Sequence, residues 1–163
     1  MIEVKYMIGD ATAPVGPGNK IICHVCNDIG VWGKGFVLAL SKRCPQPEAA
    51  YRQWHKDRGS NNFGLGAVQW VEVTPEIRVA NLIGQHGIKH GSTGNQDRQP
   101  PIRYEAIEAG LTLVAQTAME KQASVHMPRI GCGLAGGTWD QIEPILRRTL
   151  LAKDVQVFVY DLP

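Results

Sequence analysis

The run at residues 20–26, KIICHVC, constrains the fold more than any other stretch of the chain. It is nearly continuous in apolar residues and is bounded on both sides by turn-forming residues. A strand that is apolar on both faces must be covered on both faces, which places it inside a parallel or mixed sheet between layers of helix.

The rest of the chain supplies those layers. Residues 2–7 read as a short first strand, and residues 11–19 as a loop carrying two prolines and two glycines. After the central strand comes a glycine-rich loop at 27–35. A helix follows at 36–43, with Phe36, Leu38, Ala39 and Leu40 expected inward. Pro45 and Pro47 end it and start a second helix at 48–58. A polar turn at 59–66 leads to two β-rich runs, 67–73 and 78–83, joined tightly through Pro75 and expected to pair. Residues 86–101 lack periodicity and read as a long surface loop, a class of segment that often carries function. Residues 102–121 have helical period, with Ile107, Leu111, Val114, Ala115 and Ala118 on one face. A short strand at 124–128, a second glycine-rich loop at 130–138, a helix at 139–151 and a closing strand at 155–160 complete the order. In that last helix Ile142, Ile145, Leu146 and Leu150 point inward. The expected fold is therefore α/β, a three-layer helix–sheet–helix arrangement around a mixed central sheet.

Size and composition set the outer limits. A length of 163 residues suits one compact domain, 1–163, large enough to bury a core without disulfides or a structural metal. The formal net charge of +2 is too small to point to nucleic acid. No apolar run reaches the length of a membrane span, and the N-terminal residues, with Glu3, Lys5 and Asp10, lack a signal core, so a cytoplasmic monomer is the expectation. Cys23 and Cys26 form a C-x-x-C around His24. A zinc site needs four ligands, no second close pair exists, and positions three apart on a strand face opposite ways. They read as ordinary buried cysteines, and no metal or cofactor is expected.

Both glycine-rich loops leave strands and enter helices, so they should meet at the carboxyl edge of the sheet, where α/β proteins bind ligands. The second, PRIGCGLAGGTW, holds Gly131, Gly133, Gly136 and Gly137. Such a turn can gather N–H groups into an anion nest, with the positive end of the helix from Trp139 expected nearby. Its spacing is neither a Walker motif nor a dinucleotide fingerprint. The first, NDIGVWGKGF, adds Asn27 for a sugar hydroxyl, Trp32 as an apolar plate, and Lys34 as a charge for phosphate or solvent. Asp10, just after the first strand, is placed either to form a turn or to accept amino hydrogens of a base.

Gly9-Asp10-Ala11-Thr12, HVCNDIGVWGKGF and MPRIGCGLAGG, in that order and spacing, resemble the macrodomain family over essentially the whole chain. The resemblance is to the branch that contains the terminal ADP-ribose protein glycohydrolase and related bacterial proteins. It implies ADP-ribose, or an ADP-ribosylated protein, as the partner. By position it implies adenine at Gly9, Asp10 and Ala11, and the distal ribose at Asn27 and the Gly33-Lys34-Gly35 loop. It places the phosphates at Gly131, Cys132, Gly133, Leu134 and Ala135, with Cys132 acting through its backbone. Gln85 and Arg129 are further candidates for ligand contact.

The resemblance implies a hydrolase that removes mono-ADP-ribose from acidic side chains. ADP-ribose-1″-phosphate phosphatase and a non-catalytic ADP-ribose reader are the alternatives. The glycohydrolase pattern carries a lysine near residues 83–86 and an aspartate directly after GCGL. Here those places read LIGQHG and GCGLA; Lys34 and Lys89 do not occupy the lysine's position, and Ala135 replaces the aspartate. The remaining catalytic candidates are His24 as a general base, Asp28 to activate water and His86 to orient water or contact the ribose, each of which also has a plain structural reading: a core histidine, a loop aspartate and a loop residue. A substrate-assisted attack by bound water is the expected mechanism.

Overall fold

A computed structural model describes residues 2–88 and 99–163. The expected loop at 86–101 therefore lies largely outside the described residues, and so does Lys89.

The strands are β1 (Lys5–Ile8), β2 (Lys20–Asn27), β3 (Val68–Glu72), β4 (Ile77–Gln85), β5 (Ser124–Met127) and β6 (Val157–Asp161). They form one six-stranded sheet in the order β1-β6-β5-β2-β4-β3. Every pairing is parallel except β3 with β4, so the sheet is mixed, with its antiparallel strand at one edge. The helices are α1 (Phe36–Arg43), α2 (Gln46–Lys56), α3 (Tyr104–Lys121) and α4 (Trp139–Thr149).

The apolar run of β2 divides between the two faces as its length of eight residues requires. Ile21 and Cys23 enter the core built by α3 and α4, while Ile22 and Cys26 enter the core built by α1 and α2. Cys23 and Cys26 thus lie on opposite faces, each a free buried thiol. Burial pushes the Cys23 thiol up to about 12 and Cys26 well above its usual value, so both stay protonated and pack as small apolar groups.

Most expected positions hold, with shifts of a residue or two at the ends. The face Ile107, Leu111, Val114, Ala115 and Ala118 is buried, as are Ile142, Ile145, Leu146 and Leu150. β1 starts three residues later than expected because residues 2–4 do not join the ladder. One assignment fails. Leu38 is 50% exposed, whereas Val37 and Leu40 are the buried pair of α1. The helix meets the sheet through a face one position away, which a run of eight residues rich in apolar groups does not resolve. α2 begins two residues earlier than expected, with Pro47 in its first turn, where a missing N–H costs nothing.

Candidate functional site

Strands β1, β2, β4, β5 and β6 run the same way, so the segments that leave their carboxyl ends gather on one edge of the sheet. There they enclose three cavities. The first, about 490 Å³, is bordered by Asp10, Ala11, Phe36, Arg129 and Tyr160. The central one, about 400 Å³, has His24 and Gly35 on one side and Gly131 to Ala135 on the other. The third, about 390 Å³, is bordered by Asn27, Trp32, Lys34, Gln85 and Leu134. Phe36 and Arg129 border both the first and the central cavity, and Lys34, Gln85 and Leu134 border both the central and the third. They are compartments of one continuous groove.

Local backbone irregularity shapes the third compartment. Cys26 pairs with Ile83 but Asn27 with Gln85, so the register shifts by one residue at the rim. A bulge there turns two adjacent amide side chains, Asn27 and Gln85, toward the same space. Asn27 also organises its own loop. Its Oδ1 accepts the N–H groups of Ile29 and Val31 at 3.1 and 3.2 Å and the Tyr51 hydroxyl at 2.8 Å, and its Nδ2 donates to the Val31 carbonyl at 2.6 Å. One amide hydrogen of Asn27 is not used in holding this loop.

The second loop closes on itself. Gly137 N–H donates to the Gly131 carbonyl at 2.8 Å, Gly136 N–H to Gly133 at 2.9 Å, and Ile102 N–H to Ala135 at 3.0 Å. This closure corrects the expectation about the nearby helix. Gly136 and Gly137 pack on Pro100 and Ile102, and the residues of this loop that border the groove end at Ala135, before α4 begins at Trp139. The helix that opens onto the groove is α1: Gly35, Phe36 and Val37 border the central compartment, and no side chain caps its first turn. Leu38 N–H donates to the Gly35 carbonyl at 3.1 Å, which leaves the N–H groups of Phe36 and Val37 as the ones this helix start can offer an anion.

No protein-family model matches the chain. A solved macrodomain protein from Streptomyces coelicolor is 56% identical, covers 98% of this chain and 99% of its own, and superposes with a TM-score of 0.85. The chain belongs to the macrodomain family. Among curated proteins, mouse chromodomain-helicase-DNA-binding protein 1-like is 29% identical over 99% of this chain, which spans 18% of that protein's length. The ADP-ribose 1″-phosphate phosphatase of Lodderomyces elongisporus is 26% identical over 98% of this chain and 100% of its own.

In this macrodomain nearly all the site residues expected from the sequence border the groove. Gly9, Asp10 and Ala11 lie in the first compartment, and Gly33 joins Asn27, Trp32 and Lys34 in the third. Several have engagements that the sequence does not reveal. Asp10 Oδ1 accepts the Thr12 hydroxyl at 2.7 Å and the Thr12 N–H at 2.8 Å, and the hydroxyl contact leads in holding its carboxyl below the usual range. Its Oδ2 is 3.7 Å from Arg43. Arg129 gives Nε and Nη2 to Asp161 at 2.8 and 2.9 Å, and its guanidinium lies 5.2 Å from the ring centres of both Tyr6 and Trp139. Two of its donors are therefore already committed, so it holds the β5–β6 end of the groove more than it waits for phosphate. Trp32 is a buried wall, not an open plate: its Nε1 donates to Ser41 at 2.8 Å and the Val37 carbonyl at 3.2 Å. Burial raises the Cys132 thiol, which keeps it from being a reactive thiolate.

The three catalytic candidates separate. Asp28 and His86 pair, with Nδ1 of His86 2.7 Å from Asp28 Oδ2, while Oδ1 accepts the Gly87 N–H at 2.8 Å. Neither borders a compartment, although Gln85 beside them does. His24 borders the central compartment but is 2% exposed, with Nε2 2.5 Å from Asn81 Oδ1. Burial lowers its pKa to about 4, against the opposing effect of Asn81, so it is uncharged near neutral pH. Asn81, Phe36, Tyr160 and Asp161 were not among the expected site residues. Asn81 did leave a signal: it is the lone polar side chain in VANLI, residues 79–83, and a buried amide requires partners.

Proposed function

We propose that this macrodomain binds ADP-ribose along the whole groove and hydrolyses its bond to acidic side chains of modified proteins. The observation that carries the reading is the succession of three joined compartments, each with chemistry suited to one part of that ligand. Asp10, with Oδ2 turned away from Thr12, accepts amino hydrogens of adenine. Gly131 to Ala135 and the start of α1 surround the diphosphate; the loop's carbonyls at 131, 133 and 135 have partners within the protein, as does the Cys132 N–H, which donates to the Arg129 carbonyl at 3.3 Å, so the anion is met by the loop's other N–H groups. Asn27, Gln85 and the Gly33-Lys34-Gly35 segment hold the distal ribose.

In the hydrolysis a water oxygen adds at the anomeric carbon or the ester carbonyl. The bond between ribose and the carboxyl side chain breaks, and ADP-ribose and the free carboxyl group are released. Positioning and N–H stabilisation supply much of the acceleration. The Asp28–His86 pair, beside Gln85 at the rim of the third compartment, is assigned to orient the attacking water, although His86 does not itself border that compartment in the free protein. His86→Ala should lower kcat about a hundredfold with little change in ADP-ribose affinity; unchanged turnover would remove the assignment. Incubation with a glutamate-ADP-ribosylated protein should release free ADP-ribose, and no release at high enzyme concentration would sink the hydrolase reading.

The full-length similarity to an ADP-ribose 1″-phosphate phosphatase supports a second reading, phosphate release from ADP-ribose-1″-phosphate. Assaying both substrates side by side separates the two. Binding of ADP-ribose with turnover of neither substrate would make the protein a reader.

A further inference from the structure

Among the described residues a single buried side-chain nitrogen or oxygen has no hydrogen-bond partner, and it is Nδ1 of His24. Its surroundings fix what that atom is. Gln69 Nε2 donates to the Ala50 carbonyl at 2.9 Å, and Asn81 Nδ2 donates to the Pro47 carbonyl at 3.1 Å and to Gln69 Oε1 at 3.1 Å. Backbone carbonyls can only accept, so both amides are held in one orientation. Asn81 must therefore turn Oδ1 toward His24, and His24 must donate from Nε2–H. The Cys26 sulfur, 4.0 Å from the same Nε2, is a long contact beside this bond. Nδ1 then carries a lone pair and no proton. The ring is held between Trp32, edge-on at 5.4 Å, and Phe36 at 5.7 Å, and it borders the central compartment.

A buried acceptor without a partner is costly, and a chain of three polar side chains anchored on the carbonyls of α2 is more than a core histidine needs. An uncharged lone pair attracts a hydrogen-bond donor and repels a phosphate oxygen. We propose that His24 is a fixed acceptor in the floor of the groove that reads a sugar hydroxyl of the ligand, directly or through one ordered water. Asn81 and Gln69 are its positioning residues. The inference rests on the reading of the groove as an ADP-ribose site and adds a specificity element to it: opposite the Gly131–Ala135 side that takes the diphosphate, the His24 side of the central compartment takes a sugar hydroxyl.

The test uses the intact chain with ¹⁵N-labelled histidine. Long-range proton–nitrogen correlation of the free protein should show His24 protonated on Nε2 alone. Saturation with ADP-ribose should move the Nδ1 resonance upfield, as expected for a nitrogen that has gained a donor. A proton on Nδ1 in the free protein, or an Nδ1 resonance unmoved at saturation, overturns the proposal while leaving ADP-ribose binding intact. Failure of calorimetry to detect ADP-ribose binding overturns the functional reading, and this inference with it. His24→Phe keeps a ring against Trp32 and Phe36 and removes the acceptor. If it folds, its ADP-ribose affinity should fall about tenfold, and an unchanged affinity counts against the proposal; if it does not fold, the resonance measurement decides.

Discussion

Two imidazoles in this protein are buried in the uncharged state, and they make its stability sensitive to mild acid. Burial lowers both His24 and His126 to about 4, with the Lys20 charge adding to the effect at His126. His126 sits between the Tyr160 hydroxyl at 2.7 Å and Ser124 Oγ at 2.8 Å and stacks on Phe158 at 4.8 Å. In the unfolded chain an imidazole takes its proton near pH 6.5. Above that pH neither state is charged and the full stability is present. As pH falls from about 6.5 toward 4, the unfolded chain binds protons that the native fold refuses, and stability is lost. Each shift corresponds to roughly 3 kcal/mol. Urea unfolding at pH 7 and pH 4.5 should show a drop of several kcal/mol, and His126→Phe should flatten that dependence even if it lowers the level. Equal stability at the two pH values would mean that the rings are hydrated and charge freely. None of this was visible at single positions in the sequence, where His24 read equally as a base or a core residue. The difference is made by Asn81, 57 positions away, and such a partner becomes known only when β2 and β4 lie side by side.

At the level of elements, legibility followed period and turn chemistry. The KIICHVC run placed β2 and the sheet around it, and the α3 and α4 faces were readable from their spacing because each is long enough to show the helical period. α1 is too short for that, and its inward face came out one position off at Leu38. The glycine loops were recognisable as loops, but not which helix start would face the groove. That depends on how residues 131–137 fold back on Pro100 and Ile102, a contact set by distant sequence. The same fold-back separates two glycines that look alike on paper. A Cβ at Gly137 would sit 2.5 Å from the Gly131 carbonyl oxygen, so the backbone itself must move. Gly133 has φ of +82° with open space around it, so a side chain there meets only backbone strain. Gly137→Ala should cost about 2–3 kcal/mol and weaken ADP-ribose binding by distorting the loop, whereas Gly133→Ala should cost about 1 kcal/mol. Thermal melts of the two variants check the order, and a more damaging Gly133→Ala would refute the account of how the loop closes.

For the molecule as a whole, the groove crosses the carboxyl edge of the sheet from β1 to β4, so a ligand filling it ties together loops from five strands. Binding to the native fold alone raises stability by mass action, about 2.7 kcal/mol when the ligand is at a hundred times its Kd. For a chain of this size each kcal/mol moves Tm by roughly 2–4 °C, so ADP-ribose at that excess should raise Tm by roughly 5–11 °C. On the proposed placement, ADP offers the same adenine and diphosphate but would leave the compartment of Asn27, Trp32 and Gln85 empty. At equal millimolar concentration it should give a clearly smaller shift. Equal shifts would mean that the third compartment takes no part in binding, and the distal ribose would have to lie elsewhere. An Asn27→Ala variant localises the difference, because Asn27 both faces that compartment and holds the turn from Ile29 to Val31. It should bring the ADP-ribose shift down to the ADP value while leaving the ADP shift in place. If it lowers both shifts equally, the loop supports the groove as a whole and does not read the sugar.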